Sequence, residues 1–251
     1  MKKLLTIISL IVMSLGGYAQ RGGAPNWISI AAKGGYGNSI FFSKQASDLE
    51  GYDKDVMAPS YCFGGRLGVV FIDKVGVSLE YLGSNYESKY DYNNNVLTLS
   101  GNMKMKASDL LALFRYTGEY GFYCELGPKF TSVKEVTREF ETQVGKTSAP
   151  GIETDVTNDF KGKFTSVVFG FGFMPYNGDR VQVSLGLRAA YCNKNILETQ
   201  GNIFGLHDMA IIQNQNVEIK PFSAQVMLEV NYHFARFGTA TCGKQKIIFF
   251  K

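Results

Sequence analysis

The stretch Phe222–Phe234, FSAQVMLEVNYHF, changes character at every residue: its even positions read Phe, Ala, Val, Leu, Val, Tyr, Phe and its odd positions Ser, Gln, Met, Glu, Asn, His. A period of two is the mark of a strand with one apolar and one polar face. Seven stretches upstream alternate in the same way, over 27–37, 61–72, 75–84, 108–117, 121–133, 164–176 and 180–192. Each is about 10 to 13 residues long, close to what a tilted strand needs to cross a bilayer and longer than the 5 or 6 residues usual in globular sheets.

The connections are as informative as the strands. Asp73-Lys74, Thr117–Tyr120 and Asn177–Asp179 are tight-turn material, whereas 43–60, 87–107, 134–163 and 193–221 are long and polar. Short and long joints alternate along the whole chain. That pattern predicts an all-β fold, an eight-stranded antiparallel up-and-down transmembrane β-barrel, with short turns and both termini in the periplasm and long loops outside.

Placing the apolar set of every strand on one face collects Lys33, Arg66, Glu80, Asp109, Arg115, Glu125, Lys129, Arg188 and Glu229 on the other. Five cations and four carboxylates nearly cancel. A soluble barrel would turn its apolar face inward around a ligand, and a membrane barrel turns it outward to lipid. Hairpin register favours the second. A three-residue turn at Ile72–Lys74 sets Arg66 opposite Glu80, a hairpin centred on Glu119 sets Asp109 opposite Lys129, and Glu229 is expected to close against the strand of Lys33. Unpaired charge in a narrow interior is costly, so these residues are expected to form a salt-bridged lumen charge network. An interior of eight strands is just filled by side chains, which excludes an open diffusion pore. Tyr36, Tyr61, Tyr81, Tyr116, Tyr176, Tyr191 and Phe234 fall near strand ends, where amphipathic rings suit the membrane interface.

The first residues read as a secretory signal: Lys2 and Lys3, an apolar run from Leu4 to Leu15, and a small-residue exit at Ala19. The expected division is a signal peptide over 1–19, the barrel over 20–237 and a periplasmic tail over 238–251. No cysteine directly follows the apolar run, so a lipid-modified N-terminus is not expected. The net charge of +4 includes the two signal lysines, and no basic run of the kind that binds nucleic acid is present. Cys62, Cys124, Cys192 and Cys242 lack any C-x-x-C spacing, which argues against zinc. They read as small strand-filling residues, and disulfides stay open because connectivity cannot be taken from sequence.

Catalytic, metal and cofactor sites are not expected. His207-Asp208 is the one pair able to polarise a water in a loop-based hydrolase, yet adjacent side chains of an extended segment point apart. His233 is expected to face the lumen beside Asn231 and Glu229 in a satisfied hydrogen bond. The apolar core of the last long loop, including Met209 and Ile211, is expected either to form a short strand or to contact another protein. The tail ends in Ile247, Phe249 and Phe250, which would fray or dock on a periplasmic partner or the barrel mouth.

Four features resemble the small outer-membrane β-barrel proteins of Bacteroidota, the PorT-like group: the exit Tyr18-Ala19-Gln20, the Gly-rich first strand AAKGGYG (31–37), ELGPKF (125–130) and LEVNYHF (228–234). The resemblance implies an eight-stranded barrel inserted by the outer-membrane assembly machinery. Some members serve a secretion apparatus, so an envelope or secretion-complex protein is an expected partner, beside outer-membrane lipid. A narrow channel for small solutes is the alternative function.

Overall fold

The computed structural model describes residues 26–42, 52–71, 74–94, 97–118, 120–144, 147–178, 180–198, 218–239 and 245–249. Among them are ten strands: β1 (Asn26–Phe42), β2 (Tyr52–Phe71), β3 (Val75–Asn94), β4 (Leu97–Thr117), β5 (Phe122–Val144), β6 (Thr147–Asp155), β7 (Lys163–Asn177), β8 (Val181–Tyr191), β9 (Lys220–Thr239) and β10 (Gln245–Phe249). Eight of them pair in the order β1-β2-β3-β4-β5-β7-β8-β9, and β9 returns to β1, closing an antiparallel up-and-down barrel. The outward apolar face is that of a transmembrane barrel: Phe63, Tyr36 and Val167 are 69%, 66% and 62% exposed, while every second residue beside them points into the interior.

The strands are longer than the alternation of their apolar halves suggested. Much of the expected loops at 87–107 and 134–163 is strand, because β3 and β4 stay paired out to Asn94 and Leu97 and β5 runs on to Val144 and folds back as β6. The reason is legible in MKMKA (103–107): alternation continues there, with Met103, Met105 and Ala107 inward and Lys104 and Lys106 outward. About 9 to 11 tilted residues cross a bilayer, so β3 to β5, at 20, 21 and 23 residues, stand well beyond the apolar belt at this end.

At the opposite end the hairpins are tight. The β4–β5 turn closes with Gly118 N–H donating to the Phe122 carbonyl at 2.7 Å and Gly121 N–H to that of Gly118 at 3.2 Å. Gly121 has φ of +76°, the left-handed position that a three-residue hairpin loop reserves for glycine. The turn therefore centres on Tyr120 instead of Glu119. That moves the register by two residues: Arg115 faces Glu125, Lys129 faces Leu111, and Asp109 faces Thr131. The expected Asp109–Lys129 cross-strand pair is not formed, although both still point inward.

One step along β5, pairing with β4 lapses at Gly127 and Pro128, where proline has no N–H to donate. A Cβ on Gly127 would overlap the Ala112 carbonyl oxygen and stand 3.0 Å from Leu113 Cα, so neighbouring backbone leaves no room for a side chain. Gly127→Ala is expected to lower the folded fraction after refolding into detergent, read as loss of the band that migrates differently when unheated.

The described part of the tail is strand. β10 pairs along Ala235–Thr239 of β9, on the edge that β8 leaves open beyond Tyr232, and so extends the wall at the short-turn end. Ile247 and Phe249 belong to it, while Phe250, Met209 and Ile211 lie outside the described residues, as do His207, Asp208 and Cys242.

Candidate functional site

β4 alone reads through the interior from end to end. Arg115 lies in a charged layer near the short turns, Leu113 and Leu111 in an apolar layer, Asp109 in a small polar layer, and Met105 and Met103 in a second apolar layer. The first apolar layer is completed by Cys62, Leu82, Val168, Ala190 and Met227. In the second, Phe41 and Tyr86 meet Val156, Phe160, Ile196, Leu197 and Ile219, which come from the connections at the long-strand end.

These connections are fastened over the barrel. Phe160 bridges Leu197, Lys161 N–H donates to the Ile196 carbonyl at 2.7 Å, and Asn195 Oδ1 accepts from the N–H groups of Leu197 and Ile219 at 3.0 Å each. Asp155 steadies the turn before them by accepting from Thr157 N–H at 2.9 Å and Thr157 Oγ1 at 2.6 Å, which holds its carboxyl below the ordinary carboxylate value. The interior is thus striped along the barrel axis. Apolar layers lie above and between the charges, and buried charges need partners within the protein.

The charged layer holds seven of the nine predicted residues. Lys33 sits at its centre, with Nζ 2.9 Å from Glu80, 2.9 Å from Glu229 and 3.6 Å from Glu125. Arg115 grips both oxygens of Glu229 at 2.7 and 3.0 Å and reaches Glu125 at 3.2 Å. Arg188 grips both oxygens of Glu80 at 2.7 and 3.2 Å, donates through Nε to Glu125 at 2.8 Å, and also reaches it through Nη2. Arg66 donates to Glu229 and to Asn231 Oδ1 at 2.9 Å each. The side chains of Lys33 and Glu80 are 0% exposed. Bidentate arginine pairing of this kind fixes orientation as well as charge.

Register explains how few strands are needed. Lys33 stands opposite Glu229 on β9, Arg66 opposite Glu80 on β3, and Arg115 opposite Glu125 on β5. Arg188 has Gly170 as its β7 partner, and that glycine also faces Glu125. A Cβ on Gly170 would stand 2.7 Å from Glu125 Cγ and 2.8 Å from its Oε1, so the missing side chain is the space through which Arg188 and Glu125 meet.

Asp109 and Lys129 form a separate, smaller group. Asp109 accepts from Ser84 and Thr131 at 2.6 Å each and from the Tyr86 hydroxyl, and Lys129 donates to that same hydroxyl at 3.0 Å. The two charges are therefore joined through Tyr86, which lies between the predicted strand at 75–84 and the predicted loop at 87–107. Its signal was the alternation Ser84, Tyr86, Ser88 continuing past Gly83. His233 also departs from expectation. Its ring packs on Trp27 at 5.5 Å, its Nδ1 is buried without a hydrogen-bond partner among the described residues, and a β-bulge between Ile28 and Ser29 shifts the register beside it. Cys62, Cys124 and Cys192 are free thiols. Among the described residues no group of three potential ligands is placed to hold a metal ion.

No protein-family profile matches this chain, and no curated protein does. Among solved structures it is similar to Neisserial surface protein A (NspA), at 11% identity over 84% of this chain and 100% of that one, with a TM-score of 0.40. The outer membrane protein OprG of Pseudomonas aeruginosa gives 14% identity over 86% and 98%, TM-score 0.40. The outer membrane protease OmpT of Escherichia coli gives 12% over 86% and 100%, TM-score 0.29. The chain's assignment as an eight-stranded antiparallel barrel with its apolar face outward rests on its own strand pairing and side-chain directions.

Proposed function

We propose that this chain is a non-enzymatic outer-membrane barrel of a Gram-negative bacterium, a sealed scaffold that displays its long-strand end to a partner. The observation that carries this reading is the interior. A charge cluster with side chains 0 to 5% exposed lies beneath two apolar layers and the fastened connections above them, which favours a plug over a passage. The narrow solute channel is disfavoured for the same reason. Planar-bilayer recordings of the purified barrel are expected to show no steady conductance at any salt concentration, and single-channel steps in the wild-type protein would overturn the scaffold reading.

The orientation proposed here puts the short turns, the start of β1 and the β9–β10 hairpin in the periplasm, as an even strand number with the signal-like start favours. β3, β4 and β5, paired far beyond the apolar belt, offer outside the membrane a rigid surface whose ordering cost is already met, an advantage for binding an envelope or secretion-complex protein. Barrel assembly machinery is the partner expected during insertion. β10 extends the periplasmic wall and is proposed as a second contact. Removing residues 240–251 leaves the β9–β1 seam intact, so insertion and heat-modifiable migration are expected to survive while any protein co-purifying through the tail is lost. A hydrolase reading would rest on His207 and Asp208, which lie outside the described residues.

A further inference from the structure

The outward surface carries a groove that the interior does not explain. Across β2, β3, β4, β5 and β7 one register row reads Phe63, Gly83, Ser108, Ser132, Lys163. The row nearer the short turns reads Gly65, Tyr81, Leu110, Phe130, Thr165, and the row beyond reads Tyr61, Asn85, Lys106, Glu135. The groove therefore lies where the apolar belt gives way to polar surface. It consists of two adjoining hollows of about 660 and 530 Å³ that share Tyr81, Ser108, Leu110 and Lys134. The first continues down the belt past Gly65 to Leu67 and Leu79, and the second ends at Lys163.

Two observations point to an occupant. The first concerns the glycines. A Cβ on Gly65 would come no closer than 3.6 Å to the Ala31 carbonyl oxygen, and one on Gly83 no closer than 3.8 Å to the Phe63 ring. Backbone packing forces neither, in contrast to Gly64, whose Cβ would overlap the Tyr81 carbonyl oxygen. Their missing side chains leave the groove open. The second concerns charge. Lys104 and Lys106 on this surface pair with Glu139 and Glu135 at 3.1 and 2.9 Å, but exposed Lys134 and Lys163, at the groove's end, have no ion-pair partner among the described residues.

We infer that this groove binds a phosphorylated membrane lipid, with an acyl chain lying along Leu67, Leu79 and Gly65 and the phosphate held between Lys134 and Lys163. An apolar furrow ending in two ammonium groups without an ion-pair partner among the described residues matches the layout of such a lipid in both polarity and charge. The inference rests on the membrane reading above, and on that orientation the lipid belongs to the outer leaflet.

The test uses the full-length barrel folded in detergent, incubated with diphosphoryl lipid A or with its phosphate-free form and read by native mass spectrometry. Wild-type protein is expected to retain one lipid A. Lys134→Gln with Lys163→Gln is expected to weaken retention about thirty-fold, as is removal of the phosphates, at roughly 1 kcal/mol per lysine near a membrane surface. Gly65→Leu with Gly83→Leu is expected to abolish retention with both lysines in place. Equal retention by the lysine variant, or of the phosphate-free lipid, would overturn the inference, and neither outcome depends on the glycine variants folding. Failure of the wild-type protein to show heat-modifiable migration would instead sink the membrane reading.

Discussion

Glu229→Ala is expected to lower the unfolding free energy of the barrel by about 3–5 kcal/mol, the scale for leaving buried charges without their partner. The carboxylate is 1% exposed and touches Lys33, Arg66 and Arg115, and Asn231 Nδ2 donates to it at 2.5 Å. Removing it leaves four cations facing two carboxylates beneath an apolar layer. Lys33→Met added to Glu229→Ala restores the native excess of one positive charge, so the double variant is expected to be more stable than Glu229→Ala alone. Urea unfolding in lipid vesicles measures both, followed by the emission of Trp27, the single tryptophan, which lies on β1 at the β1–β9 seam. Additive losses in the two single variants would show that Lys33 and Glu229 do not act as a pair.

Tyr123→Ala is expected to cost a similar amount, about 3–5 kcal/mol, through lost packing instead of lost charge. Tyr123 is 2% exposed, and its ring carries the Arg115 guanidinium at 4.2 Å. The wall is shaped to receive it: a Cβ on Gly172 would come within 2.8 Å of the ring, and one on Gly186 would overlap the hydroxyl. Tyr123→Phe keeps the ring and is expected to retain most of the stability. If Tyr123→Ala unfolded at the wild-type urea concentration, the glycines opposite would be relaxing into the space, and the interior would be less tightly specified than its geometry indicates.

The barrel itself is legible because a strand's period of two maps residue number directly onto direction. Phe222, Val226 and Leu228 against Gln225, Glu229 and Asn231 already tell lipid from lumen. The three ladder pairs of the charged layer were within reach for the same reason, although only Arg66–Glu80 and Lys33–Glu229 could be named. Arg115–Glu125 was missed by a single turn residue, since the left-handed Gly121 moves the hairpin centre and every pair above it shifts by two. The long loops were overestimated because these stretches are rich in polar residues overall, although alternation persists in MKMKA (103–107) and its pairing is that of the rest of the strand.

The sequence by itself determined which way the residues of the apolar belt point, how many strands close the barrel and which of its connections are tight, because each of these depends on neighbours a few positions apart. Only the tertiary structure decided which carboxylate meets which cation. Glu125 joins Arg188 across 63 residues and Glu229 joins Arg115 across 114, through space that Gly170 and the curvature of the wall provide. It also showed that the interior alternates charge with apolar layers, a property of height along the barrel axis. Strand stagger sets that height, and it exists only once the last strand has closed on the first.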